Sequence, residues 1–167
     1  MALFLLLFGG FMIDRGKGVD LFRQCSDMLH PRIGLVNTVI LLTSSIAVAL
    51  AVRAVRMKAR TWAPVFAWLA LLCALAFIFN KYLEWGDLIR GGIVPTTNRF
   101  FLWYFIMTGV HLAHVLAGTC VLIYMLRLTQ KARGEEVSIA GLECGASYWH
   151  MVDLLWVILF PLLYLMR

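Results

Sequence analysis

Apolar residues fall into five long blocks along this chain, and the polar residues collect between them. The blocks cover residues 1–13, 33–52, 62–83, 100–126 and 148–166. None of them alternates apolar with polar at a period of two, so helices are predicted rather than the strands of a barrel. A span of the hydrocarbon layer takes about 20 apolar residues, which the last four blocks supply. The first block is short: at ~1.5 Å per residue it covers roughly 20 Å of a layer near 30 Å thick. It reads as the second half of a helix that begins before Met1, with a re-entrant or interfacial segment as the rival. It carries neither the charged leader nor the small-residue cleavage site of a signal peptide. The intervening segments read as loops: a charged one over 14–32, a basic one with Arg53, Arg56, Lys58 and Arg60, a turn-rich one with Gly91, Gly92 and Pro95, and a second basic one with Arg127, Lys131 and Arg133. The expectation is an all-α transmembrane bundle of about five helices forming one domain over residues 1–167.

Composition strengthens this picture. Of the 167 residues, 62% are hydrophobic and 14% charged, against about 45–50% and about 25% in ordinary soluble domains. A water-soluble core of this size cannot hide that excess. The formal charge of +6 does not indicate nucleic acid, because the basic residues sit at block ends, where they anchor to headgroups and set orientation. They are densest in the loops after the second and fourth blocks, which places those loops in the cytoplasm, the N-terminus inside and the C-terminus outside. Small residues mark helix–helix approach: Gly109, Ala113 and Ala117 in the fourth block, and Ala63, Ala67, Ala70 and Ala74 in the third.

Ionisable groups at membrane depth are costly and call for partners. His111 and His114, and likewise His150 and Asp153, are spaced i, i+3, so each pair shares a helix face. Haem ligation would need a ligand from a second helix. His150 is the candidate, but it starts its helix while His111 and His114 lie near the middle of theirs, an offset of about 12 Å or more. Structural zinc wants four N or S ligands and catalytic zinc three, and no Cys or carboxylate falls at matching spacing. A hydrogen-bonded cluster of His111, His114, Glu143, His150 and Asp153 explains the same residues, with Glu143 placed at a helix N-terminus. Glu84, at the end of the third block, suggests an ion pair with Arg99. Cys25, Cys73, Cys120 and Cys144 show no metal-ligand spacing and read as buried structural thiols. No nucleophile–base arrangement and no phosphate loop appear, so no catalytic, cofactor-binding or metal residue is assigned.

Specific strings carry the reading further. The run F-L-W-Y-F-I-M-T-G-V-H-L-A-H-V-L-A-G over 101–118 resembles the T-G-x-H-x-x-H-V signature of subunit III of haem–copper oxidases. The run L-E-C-G-A-S-Y-W-H-M-V-D-L-L-W over 142–156 is similar to that family's F-E-x-x-x-x-Y-W-H-x-V-D-x-x-W element. Leu83-Glu84-Trp85 before a Gly-containing loop resembles its Glu-aromatic connection. Nearer the front, L-V-N-T-V-I-L-L-T-S-S over 35–45 resembles the abbreviated five-helix branch, which includes the NorE type associated with nitric oxide reductase. Full-length members carry two further helices that help form a lipid-filled cleft. The resemblance implies a non-catalytic membrane subunit of a respiratory complex, either a cytochrome c oxidase or a nitric oxide reductase, in a bacterial inner (plasma) membrane. Haem, with copper or non-haem iron, is then expected in the partner catalytic subunit, and membrane lipids, phospholipid included, are expected around this one. Assembly, stability and proton uptake for electron transport are the implied roles. The small size and five-block pattern favour the nitric-oxide-reductase type. The family's carboxylate in the helix matching 1–13 has no counterpart here, so its role does not transfer. A standalone membrane haem carrier and a small transporter are the competing classes; no internal repeat of the transporter kind is present.

Overall fold

The computed structural model describes residues 2–27, 29, 31–59, 61–132 and 137–165. Among them the chain forms α1 (Ala2–Lys17), α2 (Val19–Asp27), α3 (Pro31–Arg56), α4 (Ala63–Arg90), α5 (Arg99–Lys131) and α6 (Ile139–Phe160), the last running into a π-helical turn at Pro161–Leu165. No strand occurs among the described residues. Arg60 and Arg133 of the predicted basic loops, and Met166 of the last block, lie outside the described residues.

Four helices are long and apolar enough to cross a membrane: Pro31–Arg56, Ala63–Arg90, Arg99–Lys131 and Ile139–Leu165. Their helical hydrogen bonding runs past the apolar blocks into the polar flanks, because backbone groups near the membrane surface are still better paired within the helix than left bare. They form a closed ring in the order α3–α4–α5–α6, with every neighbour antiparallel. Ser44 of α3 donates to the Ala70 carbonyl of α4, and Asn80 of α4 donates to Asn37 of α3. Phe77 and Trp85 of α4 meet His111 and Phe105 of α5. Along α3 and α6, Ser45 meets His150 and Trp156 donates to Thr38. Large apolar side chains such as Leu35, Val39, Leu42, Ile46, Leu72, Phe79, Leu116 and Leu154 point outward. A water-facing bundle would bury such a belt; a lipid-facing one presents it.

Close approach between helices is set by glycine. A Cβ on Gly118 of α5 would lie 2.8 Å from the Trp149 ring of α6, and one on Gly34 of α3 would lie 2.7 Å from Phe160. Ala63, Ala67, Ala70 and Ala74 are all buried, as their spacing predicts. The Gly109–Ala113–Ala117 stripe is not a helix contact: Ala113 and Ala117 are exposed, and a Cβ on Gly109 would meet only Trp85, at 3.6 Å. The stripe one position over carries the approach instead, through Gly118.

Two features differ from the sequence expectation. Helix α1 runs to Lys17, about 24 Å at ~1.5 Å per residue. It lies antiparallel along the outside of α5, with Phe4 against His114, Gly10 against Trp103, and the Trp103 indole donating to Asp14. Segment 19–27, predicted as loop, is helical. Nine residues are too few to hold a helix alone, but Phe22 docks between Phe11 and Phe100. Asn98, whose side-chain oxygen caps α5, turns its amide to Cys25. Of the four free cysteines, Cys25 is buried, and burial pushes its thiol above the ordinary range; Cys73 is half-buried, while Cys120 and Cys144 are exposed. The expectation of buried thiols in the apolar blocks is therefore corrected: Cys120 lies on the outward face.

Replacing Gly118 with Val should lower the thermal unfolding temperature of the detergent-purified protein, because the added atoms meet the Trp149 ring, an overpacking cost of about 1–3 kcal/mol. Gly16→Ala, where a Cβ meets nothing within 4 Å, should leave it unchanged or slightly raised.

Candidate functional site

The polar residues inside the ring sit at three levels. At the end where α3 finishes and α6 begins, the Arg56 guanidinium pairs with Glu143, both partly exposed. About two to three turns deeper, the Ser45 hydroxyl lies 2.6 Å from His150 Nδ1. Asp153 follows one turn further along α6. It is 4% exposed, and neither carboxylate oxygen has a hydrogen-bond partner among the described residues.

The middle level belongs to His111. Its ring is fully buried, edge-on to Phe77 at 5.7 Å and tilted against Trp156 at 5.2 Å, with both nitrogens unpaired among the described residues. His114, one turn on, points away from it. Its Nδ1 lies 2.8 Å from the Val110 carbonyl, and its ring rests on Phe4. Thus the five residues expected to form one network do not. The i, i+3 spacing puts His111 and His114 on adjoining strips of α5, but one faces the ring interior and the other faces α1. Glu143 is occupied by Arg56, and His150 by Ser45.

The third level holds the strongest electrostatic feature. Lys81 is 1% exposed, and its Nζ donates to Glu84 Oε2 at 2.8 Å, to the Tyr164 hydroxyl at 2.9 Å and to the Tyr104 hydroxyl at 3.2 Å. Tyr164 also donates to the second Glu84 oxygen. The ammonium stands 5.0 Å from the Trp156 ring centroid and 5.1 and 5.5 Å from those of Tyr104 and Tyr164. Three donors on one nitrogen are thus all used, within a cage of three aromatic rings. The expected Glu84–Arg99 pair is corrected: Glu84 is 5% exposed and turned inward to Lys81, while Arg99 lies 3.8 Å from Asp14. Helix α4 continues to Arg90, two turns past the apolar block, so Glu84 lies inside the span rather than at its edge.

Sequence reasoning passed over Lys81, Tyr104 and Tyr164. The Lys81–Glu84 spacing of i, i+3 within an apolar helix was a readable signal. The tyrosines gave none. Tyr164 reaches Lys81 because Pro161 lacks an N–H and its ring crowds the carbonyl four residues earlier. The helix responds with a wider π turn, after which Leu163 and Tyr164 face the interior, 1% and 2% exposed.

The donors and acceptors of Lys81, Glu84 and Tyr164 meet one another. Among the described residues no three His, Cys, Asp or Glu side chains converge at metal-ligating distance. Phe77 and Trp156 close in on the His111 ring, and His150 stands toward the Arg56–Glu143 end beside Ser45.

The architecture is that of a polytopic helical membrane protein whose buried lysine and glutamate are paired within the chain. Residues 26–167 match the family described as cytochrome c oxidase subunit III, and the chain belongs to that family. It is 30% identical to cytochrome c oxidase subunit 3 of Synechocystis sp., over 99% of this chain and 70% of that protein. It is 31% identical to heme-copper oxidase subunit I+III of Aeropyrum pernix, over 80% of this chain and 16% of that much longer protein. It is also 31% identical to cytochrome bo(3) ubiquinol oxidase subunit 3 of Pseudomonas aeruginosa, over 79% of this chain and 63% of that one. The chain thus spans less than two thirds of some relatives and more of others.

Removing one member of the buried pair should cost more than removing both. Lys81→Met alone leaves Glu84 unpaired, with an expected loss of about 3–5 kcal/mol. The double variant Lys81→Met with Glu84→Leu should regain most of that. Arg99→Ala should stay within about 1 kcal/mol of wild type, since it removes an exposed contact. Unfolding of each purified variant in detergent reads all three.

Proposed function

We propose that this chain is a non-catalytic accessory subunit that packs beside the haem- and copper-bearing catalytic subunit of a bacterial respiratory oxidase in the inner (plasma) membrane, supporting its assembly and stability. The observation that carries this reading is how the chain disposes of its buried charge. Lys81 and Glu84 are satisfied by each other and by two tyrosines, which makes the centre of the bundle a fixed structural joint. Meanwhile the outward faces of α3, α4 and α6 are apolar and continuous. A rigid block with a lipid-compatible exterior suits a subunit that stabilises a neighbour through surface contact. The family relatives named as oxidase subunits support an oxidase as that neighbour.

Mild-detergent purification of the tagged full chain from its native membrane, with mass spectrometry and a reduced-minus-oxidised spectrum, tests this. The expected result is a colourless subunit that brings with it a haem protein containing copper. Co-purification of a haem and non-haem-iron protein without copper would instead assign the neighbour as a nitric oxide reductase. A haem band that stays with the isolated chain would overturn the non-catalytic reading.

A further inference from the structure

We propose that the bundle contains a proton-binding site at the carboxyl group of Asp153, which exchanges by way of Ser45 and His150 with water in an open cleft between α3 and α6 at the Arg56–Glu143 end. The cleft has a volume of about 470 Å³ and is lined by Arg53, Arg56, Glu143, Ala146, Ser147 and His150, among others. It could hold several waters, since one needs roughly 30 Å³ of liquid volume. Its mouth is charged and its floor is His150, whose Nδ1 is engaged by Ser45 at 2.6 Å. The other ring nitrogen is the one available to water in the cleft.

Asp153 lies one helical turn beyond that floor on the same face of α6. Glu143, Ser147, His150 and Asp153 follow one another at steps of four, three and three, so they form a single polar file about 15 Å long at ~1.5 Å per residue. The Ser45 hydroxyl is beside Asp153 as well as His150, but its placement serves the histidine, which leaves both carboxylate oxygens bare. A buried carboxyl with no protein partner needs either a proton or water. The cleft reaches His150, one turn short of Asp153, and connects to the carboxyl through the histidine and Ser45. Lys81, the nearest buried cation in the ring, has its three protons committed to Glu84, Tyr104 and Tyr164.

Proton transfer along the file balances. With the Ser45 side chain turned to bridge the two, the Asp153 carboxylic acid gives its proton to the Ser45 oxygen, and Ser45 passes its own hydroxyl proton to His150 Nδ1. His150 releases the proton on Nε2 to a cleft water. The net change is a carboxylate at Asp153 and a hydronium in the cleft, with the imidazole left as the other tautomer. The charged and titratable groups along the file are Arg53 and Arg56 on α3 and Glu143 with His150 on α6; deeper in the ring, the facing helices carry Lys81 on α4 and His111 on α5. The site concerns this chain's interior and stands whether or not the proposed neighbour is an oxidase.

The test uses the full chain in lipid nanodiscs, with infrared spectra recorded as pH is lowered and as H₂O is exchanged for D₂O. A protonated-carboxyl band that vanishes in Asp153→Asn should appear and should shift in D₂O within the mixing time. His150→Leu, or Ser147→Phe to plug the cleft, should slow that shift by roughly tenfold or more, leaving only exchange through local opening. Where Asp153→Asn does not fold, Asp153→Glu assigns the band by moving it. A band that exchanges slowly in the wild type, or that exchanges equally fast in both blocked variants, would overturn the proposal, as would the lack of any such band at all pH values.

Discussion

Burying a lysine inside a membrane bundle constrains everything around it. An ammonium out of water is tolerated only with its three protons donated and its charge countered. Lys81 meets that demand with parts drawn from three helices: Glu84 from its own turn, Tyr104 from α5 and Tyr164 from the end of α6. The antiparallel ring must be closed for these groups to coincide. The π turn at Pro161 must also rotate Tyr164 inward. This centre therefore ties the register of α4 and α5 to that of α6. The apolar contacts add area but little register, because one leucine slides past another at small cost.

Glycine and aromatic residues complete the fit. Gly118 accepts Trp149, and Gly34 accepts Phe160 and Tyr164, so large rings fill the gaps between closely spaced backbones. In lipid there is no hydrophobic gain from joining two apolar helices, so such shape matching and the few interior hydrogen bonds carry the association. Ser44 to the Ala70 carbonyl, Asn80 to Asn37 and Trp156 to Thr38 each cross a helix boundary in this way.

The interior is consequently asymmetric. The end near Arg90 and Arg99 holds the hydrogen-bonded Lys81–Glu84 ion pair, with a groove lined by Asn80, Glu84 and Asp87 beside it. His111 at the middle level and Asp153 toward the opposite end find no hydrogen-bond partner among the described residues, and that end also carries an open cleft lined by His150. One half is organised for rigidity and the other retains capacity to bind water and protons. A subunit of the cytochrome c oxidase subunit III family can thus combine an apolar exterior with a polar interior of two distinct kinds.

The helical class, the four spans and the family were legible in the sequence, because lipid forces backbone pairing within each segment and so writes long apolar blocks into the chain. The motif residues His111, His114, Glu143, His150 and Asp153 were legible as candidates, yet their grouping was not. Spacing along one helix says which side chains share a strip, but which neighbour that strip faces depends on how the helices rotate against one another. That rotation separated His114 from His111, turned Glu84 from Arg99 to Lys81, and placed Ala113 and Ala117 outside. Helix α2 was hidden for a related reason: nine residues gain their order from Phe11 and Phe100, which no local window contains. Tertiary structure alone decided the partners of Lys81, since Tyr104 and Tyr164 lie 23 and 83 residues away from it and meet only once the ring closes.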